Sequence, residues 1–275
     1  MMTQFPNPEH PMPADFAVEI SAFLGELAAL AGDAALPYFR TPLVIENKGD
    51  VRFDPVTIAD RAVEQVLRDA IRRRYPAHSI IGEEYGAHRG DAAFCWVIDP
   101  IDGTRAFVSG LPTWGTLVAL CEDDKPRFGL MSQPFVGEMF IGGNGASRWT
   151  RGAATRLLKT RGAERLETAS LFATTPEMFA ADIEWPRFEQ LTQRVRSTRY
   201  GADCYAYCML AAGYVDLVVE AGLGFYDIAA LVPIVEGAGG VVSNWEGSPI
   251  RAGGRVLAAA NATLHVQALA ILRGA

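Results

Sequence analysis

A buried apolar run that ends in two closely spaced acids dominates the sequence: Trp96-Val97-Ile98-Asp99-Pro100-Ile101-Asp102-Gly103-Thr104. An apolar strand of this kind belongs inside a sheet and delivers Asp99 at its carboxyl end. Pro100 removes a backbone donor and restricts the turn, and Asp102 follows after Ile101, whose carbonyl is free. Two carboxylates and a carbonyl oxygen then converge on one small volume. Such an all-oxygen set suits hard Mg²⁺, which keeps several waters and takes a substrate phosphate as a further ligand. Gly103 and Thr104 open a short helix whose backbone N–H groups face an anion. The competing reading is a plain Asp-Gly turn with Asp99 as a helix cap.

Two further acidic segments lie upstream. Ile81-Gly82-Glu83-Glu84 again places acids just after a short apolar strand, where a solvated pair is the alternative. Asp54-Pro55-Val56-Thr57-Ile58-Ala59-Asp60 enters a helix, where Thr57 or Asp54 also serves as an ordinary cap. The 275 residues suffice for one large domain or two intimate halves, and 49% hydrophobic with 21% charged residues exclude wholesale disorder. Lys+Arg 25 against Asp+Glu 32 gives 25 − 32 = −7, the wrong sign for holding nucleic acid through the protein's own field. An anionic substrate therefore needs bound cations to neutralise it. Cys95, Cys121, Cys204 and Cys208 have neither disulfide-scaffold nor zinc spacing and read as reduced core thiols of a cytoplasmic protein. Cys204 and Cys208 share one helix face. His10, His78, His88 and His265 lie outside every motif, and surface or capping roles are expected for them.

Residues 1–14 carry no basic region followed by an apolar run and are expected to form a flexible arm rather than a secretory signal. Asp15 to Phe39 is apolar, but Glu19, Glu26 and Asp33 recur every seven residues, so an amphipathic helix is expected rather than a membrane span. Leu43 to Phe53 reads as extended, and a helix through Ala59, Val63, Leu67 and Ile71 runs to Pro76. Strands are expected at Ser79–Ile81, Phe94–Ile98, Thr116–Cys121, Phe128–Met131 and Glu138–Ile141, with a hairpin turn at Asn144-Gly145. Downstream, helices are expected over Asp203–Ala212, Tyr226–Glu236 and Ala262–Leu272, and strands at Asp216–Glu220 and near Val241 and Val256. The pattern predicts α+β layers with helices between two sheets: an N-terminal half over 15–150 holding the main metal site, and a C-terminal half over 151–275 holding specificity residues. Their boundary falls between Gly145 and Leu171.

Taken together, D-x-V-T-x-x-D, G-E-E and D-P-I-D-G-T, in this order, resemble the inositol monophosphatase superfamily of magnesium-dependent, lithium-sensitive phosphomonoesterases. A fourth element, the acid near the start of a C-terminal helix, is matched by Tyr226-Asp227; Tyr226 departs from the family's usual Trp. The resemblance spans about residues 15–270. It implies a five-layer αβαβα sandwich of the inositol monophosphatase and sugar phosphatase type, and a homodimer. It also implies two or three Mg²⁺ ions per active site: Glu83, Asp99 and the Ile101 carbonyl as ligands of the first, and Asp99, Asp102 and Asp227 of the second. Glu83 touches a weaker third through water. Thr104, hydrogen-bonded to Asp60, is implied to orient the attacking water, which displaces the alcohol without a covalent intermediate. Gly103, Thr104 and Asp227 fall at substrate positions. Lys48 and Asp54 lie where the family has its early Lys and Asp; a solvated turn is the alternative for Lys48.

Thr104-Arg105-Ala106-Phe107 departs from the Thr-Asn-Phe of inositol phosphatases and resembles the histidinol-phosphate phosphatase branch, as does Tyr200-Gly201-Ala202-Asp203-Cys204-Tyr205. Glu220 sits at the family position contacting the alcohol part of the substrate. Histidinol phosphate carries an ammonium and an imidazole, and Asp203 with Glu220 would supply carboxylates to both. An N-cap role for Asp203 and a solvated strand end for Glu220 stay open. Arg105 pairs with an acid or approaches the anion. Phe107, Trp114 and Tyr205 line the pocket or fill the core. The expected activity is hydrolysis of L-histidinol phosphate in histidine biosynthesis, with a small phosphorylated metabolite as partner and neither nucleic acid nor membrane. An inositol-1-phosphate or broad sugar phosphatase is the alternative, bisphosphate phosphatases are weaker ones, and a non-enzymatic interaction protein belongs to another class.

Overall fold

The computed structural model describes residues 11–42, 44–47 and 55–274. Most of the expected arm, most of the extended Leu43–Phe53 segment, and Lys48 and Asp54 lie outside the described residues. Helix α1 (Ala14–Ala35) leads into the short pair β1 (Glu46–Asn47) and β2 (Pro55–Val56), then α2 (Ile58–Arg74). Next come β3 (Ser79–Gly82), β4 (Gly86–His88), β5 (Phe94–Asp102) and the five-residue α3 (Thr104–Val108). The meander β6 (Gly115–Glu122), β7 (Lys125–Gln133), β8 (Glu138–Gly143), β9 (Ala146–Arg151) and β10 (Ala154–Leu157) completes an eight-stranded sheet in the order β10-β9-β8-β7-β6-β5-β3-β4. It is antiparallel except for β3 beside β5. Asn144 and Gly145, both at positive φ, make the two-residue turn from β8 to β9.

The second half contributes β11 (Ser170–Ala173), α4 (Glu184–Thr192), β12 (Ser197–Tyr200), α5 (Asp203–Ala211), β13 (Leu217–Leu223), α6 (Phe225–Ile228), α7 (Leu231–Gly237), β14 (Val241–Asn244), β15 (Gly254–Ala259) and α8 (Ala262–Arg273). The five-stranded sheet runs β12-β11-β13-β15-β14, its first three strands parallel and β15 antiparallel to both neighbours.

Strand alternation assigns the layers. On the first sheet Trp96, Ile98, Val118 and Leu120 point into a core shared with α1 and α2. Their neighbours Val97, Leu117 and Ala119 point the other way, into a core filled by α5, α6 and α7. Val218, Val256 and Ala258 of the second sheet close that middle core from its far side. Leu217, Val219, Leu257 and Ala259 face outward onto α4 and α8. The period-2 pleat thus buries both faces of both sheets and yields five layers, αβαβα.

Several expectations need correction. Helix α1 ends at Ala35 rather than Phe39: Leu36 keeps helical dihedrals, but Pro37 has no N–H to continue the ladder, and Tyr38 and Phe39 bond three residues back instead of four. The expected Tyr226–Glu236 helix is two helices: Pro233 has no N–H to donate, and its ring crowds the carbonyl four residues back, at Ala229, where the break falls. Strand β5 continues past Ile98 to Asp102, with a register shift between Asp99 and Asp102 against β6. His78 is stacked among Tyr75, Phe94 and Trp96, and its Nδ1 accepts from Trp96 Nε1 at 3.1 Å. His265 is fully buried against Ser243 Oγ at 2.7 Å. Neither is a surface histidine.

Candidate active site

The bulge at the end of β5 builds the site. Pro100 interrupts the ladder, its carbonyl accepts from Thr116 Oγ1 at 2.8 Å, and Asp99 and Asp102 emerge on the same side. Gly103 follows with φ of 79° and caps α3 from a left-handed conformation. A Cβ there would lie 3.1 Å from Asp203 Cβ and 3.2 Å from both Asp203 Cγ and the Trp114 backbone, so the turn admits only glycine. From the middle layer, α6 brings Asp227, whose Oδ2 accepts from Gly224 N–H at 2.7 Å and caps that helix. One oxygen from each of Asp99, Asp102 and Asp227 lies within 4.8 Å of the others.

Electrostatically this cluster is incomplete as protein alone. Asp99 is 2% exposed and its Oδ1 has no hydrogen-bond partner. Burial first, then the charges of Glu83, Asp102 and Asp227, push its carboxyl well above the usual range. Asp102 is raised for the same reasons by burial, Asp227 and Asp203, although its Oδ2 accepts from Cys204 N–H at 2.7 Å. Three converging carboxylates, of which Asp99 is buried with an orphaned oxygen and the other two are half-buried, are a donor set for a hard divalent cation. Glu83 is half-buried in the loop after β3, its N–H donating to the Ile98 carbonyl at 3.3 Å, one residue before Asp99.

Asp60 sits 1% exposed at the third position of α2. Its Oδ2 accepts from both Thr57 N–H (2.8 Å) and Thr57 Oγ1 (2.7 Å), and Thr57 Oγ1 accepts from Ala59 N–H at 3.1 Å. The cap reading therefore holds for Thr57 and Asp60 together. Asp60 also reaches the site: its Oδ1 is 3.5 Å from Thr104 Oγ1, whose nearer acceptor is the Ile101 carbonyl at 3.0 Å. Burial raises the Asp60 carboxyl pKa.

Asp203 opens α5 at φ of 45°, an unfavourable conformation for a side-chain-bearing residue, and makes no side-chain cap. Its Oδ2 instead meets Thr113 Oγ1 at 3.4 Å, and burial lifts its pKa to about 6 against the opposing charge of the exposed Arg105. Glu220 is 3% exposed, not a solvated strand end. Thr174 donates to its Oε1 through both N–H and hydroxyl, and Tyr207 OH donates to Oε2 at 2.8 Å. Burial, with Asp203 and Asp227 adding to it, holds the Glu220 carboxyl at about 7. Phe107 and Trp114 are core residues packed edge to face. Tyr205 packs edge-on to Phe140 and donates to Glu138.

Sequence reasoning missed Thr113, Thr174 and Tyr207, which hold Asp203 and Glu220, and the pair Glu64–Arg68 under the Glu83 loop. A charged pair on the same stripe of α2 as Leu67 and Ile71 was the available signal for the latter.

Known proteins resemble this chain over nearly its whole length. The profile described as "Inositol monophosphatase family" matches residues 17–274. The chain is 38% identical to the bifunctional phosphatase IMPL2, chloroplastic, of Arabidopsis thaliana, over 96% of this chain and 79% of that protein. It is 36% identical to the histidinol-phosphatase of Mycobacterium tuberculosis, over 82% and 87%. Among solved structures, an inositol monophosphatase from Zymomonas mobilis superposes with a TM-score of 0.84 at 39% identity, covering 95% of this chain and all of that one. Among the described residues no helix is long and apolar enough to cross a membrane.

Proposed function

The chain belongs to the inositol monophosphatase family and is a metal-dependent phosphomonoesterase, and from that premise we propose that its substrate is L-histidinol phosphate. The observation that carries this reading is the second pair of carboxylates beside the metal triad. Asp203 is half-buried and Glu220 buried, and burial, with the charges of Asp203 and Asp227 adding to it, lifts the pKa of Glu220 to about 7. A polyol needs only neutral hydroxyl partners, whereas a substrate bearing an ammonium and an imidazole relieves this repulsion. Asp203 would take the ammonium, and the lone pair left on Glu220 Oε2 beside the Tyr207 hydroxyl would take the imidazole N–H. The relatives' names support the phosphatase chemistry but divide between histidinol phosphate and inositol phosphate, so the latter is the second reading.

In the mechanism we infer, Asp99, Asp102 and Asp227, with Glu83 and the Ile101 carbonyl, would hold two or three Mg²⁺ ions. Bound Mg²⁺ supplies Lewis-acid stabilisation of phosphoryl charge and acidifies the attacking water. The chain's own residues do the rest. Thr104 turns its hydroxyl proton toward Asp60 and accepts a hydrogen bond from the water, fixing the direction of attack on phosphorus. Buried Asp60, with its raised pKa, is a ready acceptor for that hydrogen bond. The N–H groups that open α3 would face the phosphate oxygens. No side-chain nucleophile is required.

The test is phosphate release with Mg²⁺ and with EDTA on L-histidinol phosphate and inositol-1-phosphate, for the parent and for Asp203→Asn. The parent should prefer histidinol phosphate in kcat/KM. Asp203→Asn should lower kcat/KM for histidinol phosphate by about 10-fold or more, the size of a lost charge-assisted hydrogen bond, and leave inositol-1-phosphate nearly unchanged. A parent preference for inositol-1-phosphate, or equal losses on both substrates, rejects the histidinol reading and keeps the phosphatase.

A further inference from the structure

Beneath the Glu83 loop lies a charged pair that the chemistry above does not use. Glu64 and Arg68, one turn apart on α2, are 0% and 2% exposed, with Arg68 Nε donating to Glu64 Oε1 at 2.6 Å. Removing both ions from water costs several kcal/mol, and a buried pair is often no more stabilising than apolar side chains of like volume. Fold stability is thus a poor explanation for it. The partners point elsewhere: Glu64 Oε2 accepts from Glu84 N–H at 2.7 Å and Oε1 from Tyr85 N–H at 3.1 Å. Arg68 Nη2 donates to the Gly86 carbonyl. Three consecutive backbone units after Glu83 are therefore gripped by one ion pair, while Glu83 N–H is tied to the Ile98 carbonyl on the other side. Gly82 completes the fit, because a Cβ there would collide with the Glu64 carboxylate and approach Arg68 Nη2. Glu83 is thus suspended between two backbone anchors, one on α2 and one on β5, the strand that carries Asp99.

We propose that Glu64 and Arg68 are positioning residues that fix Glu83 as an oxygen ligand of the metal centre, so that the pair sets metal affinity rather than the chemical step. The inference rests on the metal-site reading above, though not on the identity of the phosphomonoester. Groups that orient a ligand without touching the metal typically change metal affinity by about 10–100-fold.

The experiment is calorimetric titration of the substrate-free protein with Mg²⁺ and with Mn²⁺, paired with the Mg²⁺ dependence of kcat. The double variant Glu64→Leu/Arg68→Met removes the grip without stranding a buried charge. It should melt near the parent temperature, bind metal about 10-fold or more weakly, and recover most of kcat at saturating Mg²⁺. A folded double variant with parental metal affinity overturns the proposal. If it does not fold, Arg68→Lys decides: it keeps a charge opposite Glu64 but cannot reach both Glu64 and the Gly86 carbonyl with a planar fork. Weakened metal binding there supports the proposal, and parental affinity overturns it. Glu83→Gln separates the two levels. If it alone leaves metal binding unchanged, the ligand assignment falls and the positioning role with it; if it weakens binding while the Glu64 and Arg68 variants do not, only the positioning role falls. A result against histidinol phosphate leaves every titration untouched.

Discussion

Glu220 has three hydrogen bonds to its carboxylate and still sits at about 7, which shows burial outweighing partners. Thr174 and Tyr207 favour the charged form, but removal from water and the neighbouring Asp203 and Asp227 disfavour it more. The consequence for stability has a definite sign. An acid whose folded pKa lies above its unfolded value of 4.5 keeps a proton in the native state that the unfolded chain has lost. Its contribution is most favourable below about 4.5, declines as pH rises toward about 7, and is constant above. Glu220→Gln removes this dependence. In metal-free urea unfolding, the stability of the variant relative to the parent should therefore rise by about 2 kcal/mol between roughly pH 5.5 and 8.5. A difference that does not change with pH would mean that Glu220 is ionised throughout, and the crowded-carboxylate argument for a cationic substrate would lose its basis. The sequence shows Glu220 as an acid at the end of an apolar strand; its burial depends on Thr174 and Tyr207, which approach from two other elements.

Helix α2 carries three tasks along one stripe, and only part of this is legible from its sequence. The periodicity of Val63, Leu67 and Ile71 predicts the helix, and Thr57 with Asp60 predicts its cap. Glu64 and Arg68 lie on that stripe too, but what they hold becomes visible only when the loop after β3 is laid over them. The same limit explains the segments that escaped prediction. Strands β9, β10 and β12 are polar or exposed along much of their length, and α4 has only Phe188 and Leu191 buried, so no apolar period marks them. Conversely, the apolar pattern across Tyr226–Glu236 hides the break that Pro233 imposes. The double duty of the α2 cap can be separated. Thr57→Val removes the capping hydroxyl and should cost about 1 kcal/mol of stability while leaving kcat within roughly 3-fold of the parent. Asp60→Asn keeps the size of the side chain but weakens its capacity to accept from Thr104, and kcat should fall by about 10-fold or more, within the range for a lost proton-handling partner. Equal kcat losses measured for the two variants would reduce Asp60 to a cap.

At the scale of the whole molecule, the site is a seam. Asp99 and Asp102 come from the first sheet, while Asp203 and Asp227 come from helices of the middle layer that also pack on the second sheet. The acidic motifs could be read in the sequence because each is local. Their meeting could not, because strand alternation says which face is buried but not which layer covers it. Since the seam gathers like charges, a cation held by residues of both layers would offset their repulsion and tie the layers together. Metal should therefore act on global stability as well as on rate. With Mg²⁺ near 100 times its dissociation constant, linkage gives about 2.7 kcal/mol, which for a chain of this size raises Tm by roughly 5 °C or more over the protein in EDTA. Asp99→Asn should show the opposite balance: a higher Tm than the parent in EDTA at pH 8, because a buried charge in a crowded cluster is gone, and little or no rise on adding Mg²⁺, because a carboxylate that would hold the ion has become a neutral amide. Its phosphatase rate should fall by several orders of magnitude. If calorimetric melting shows the same Mg²⁺-induced rise in parent and variant, the stabilising ion binds elsewhere, and Asp99 does not join the two layers through metal.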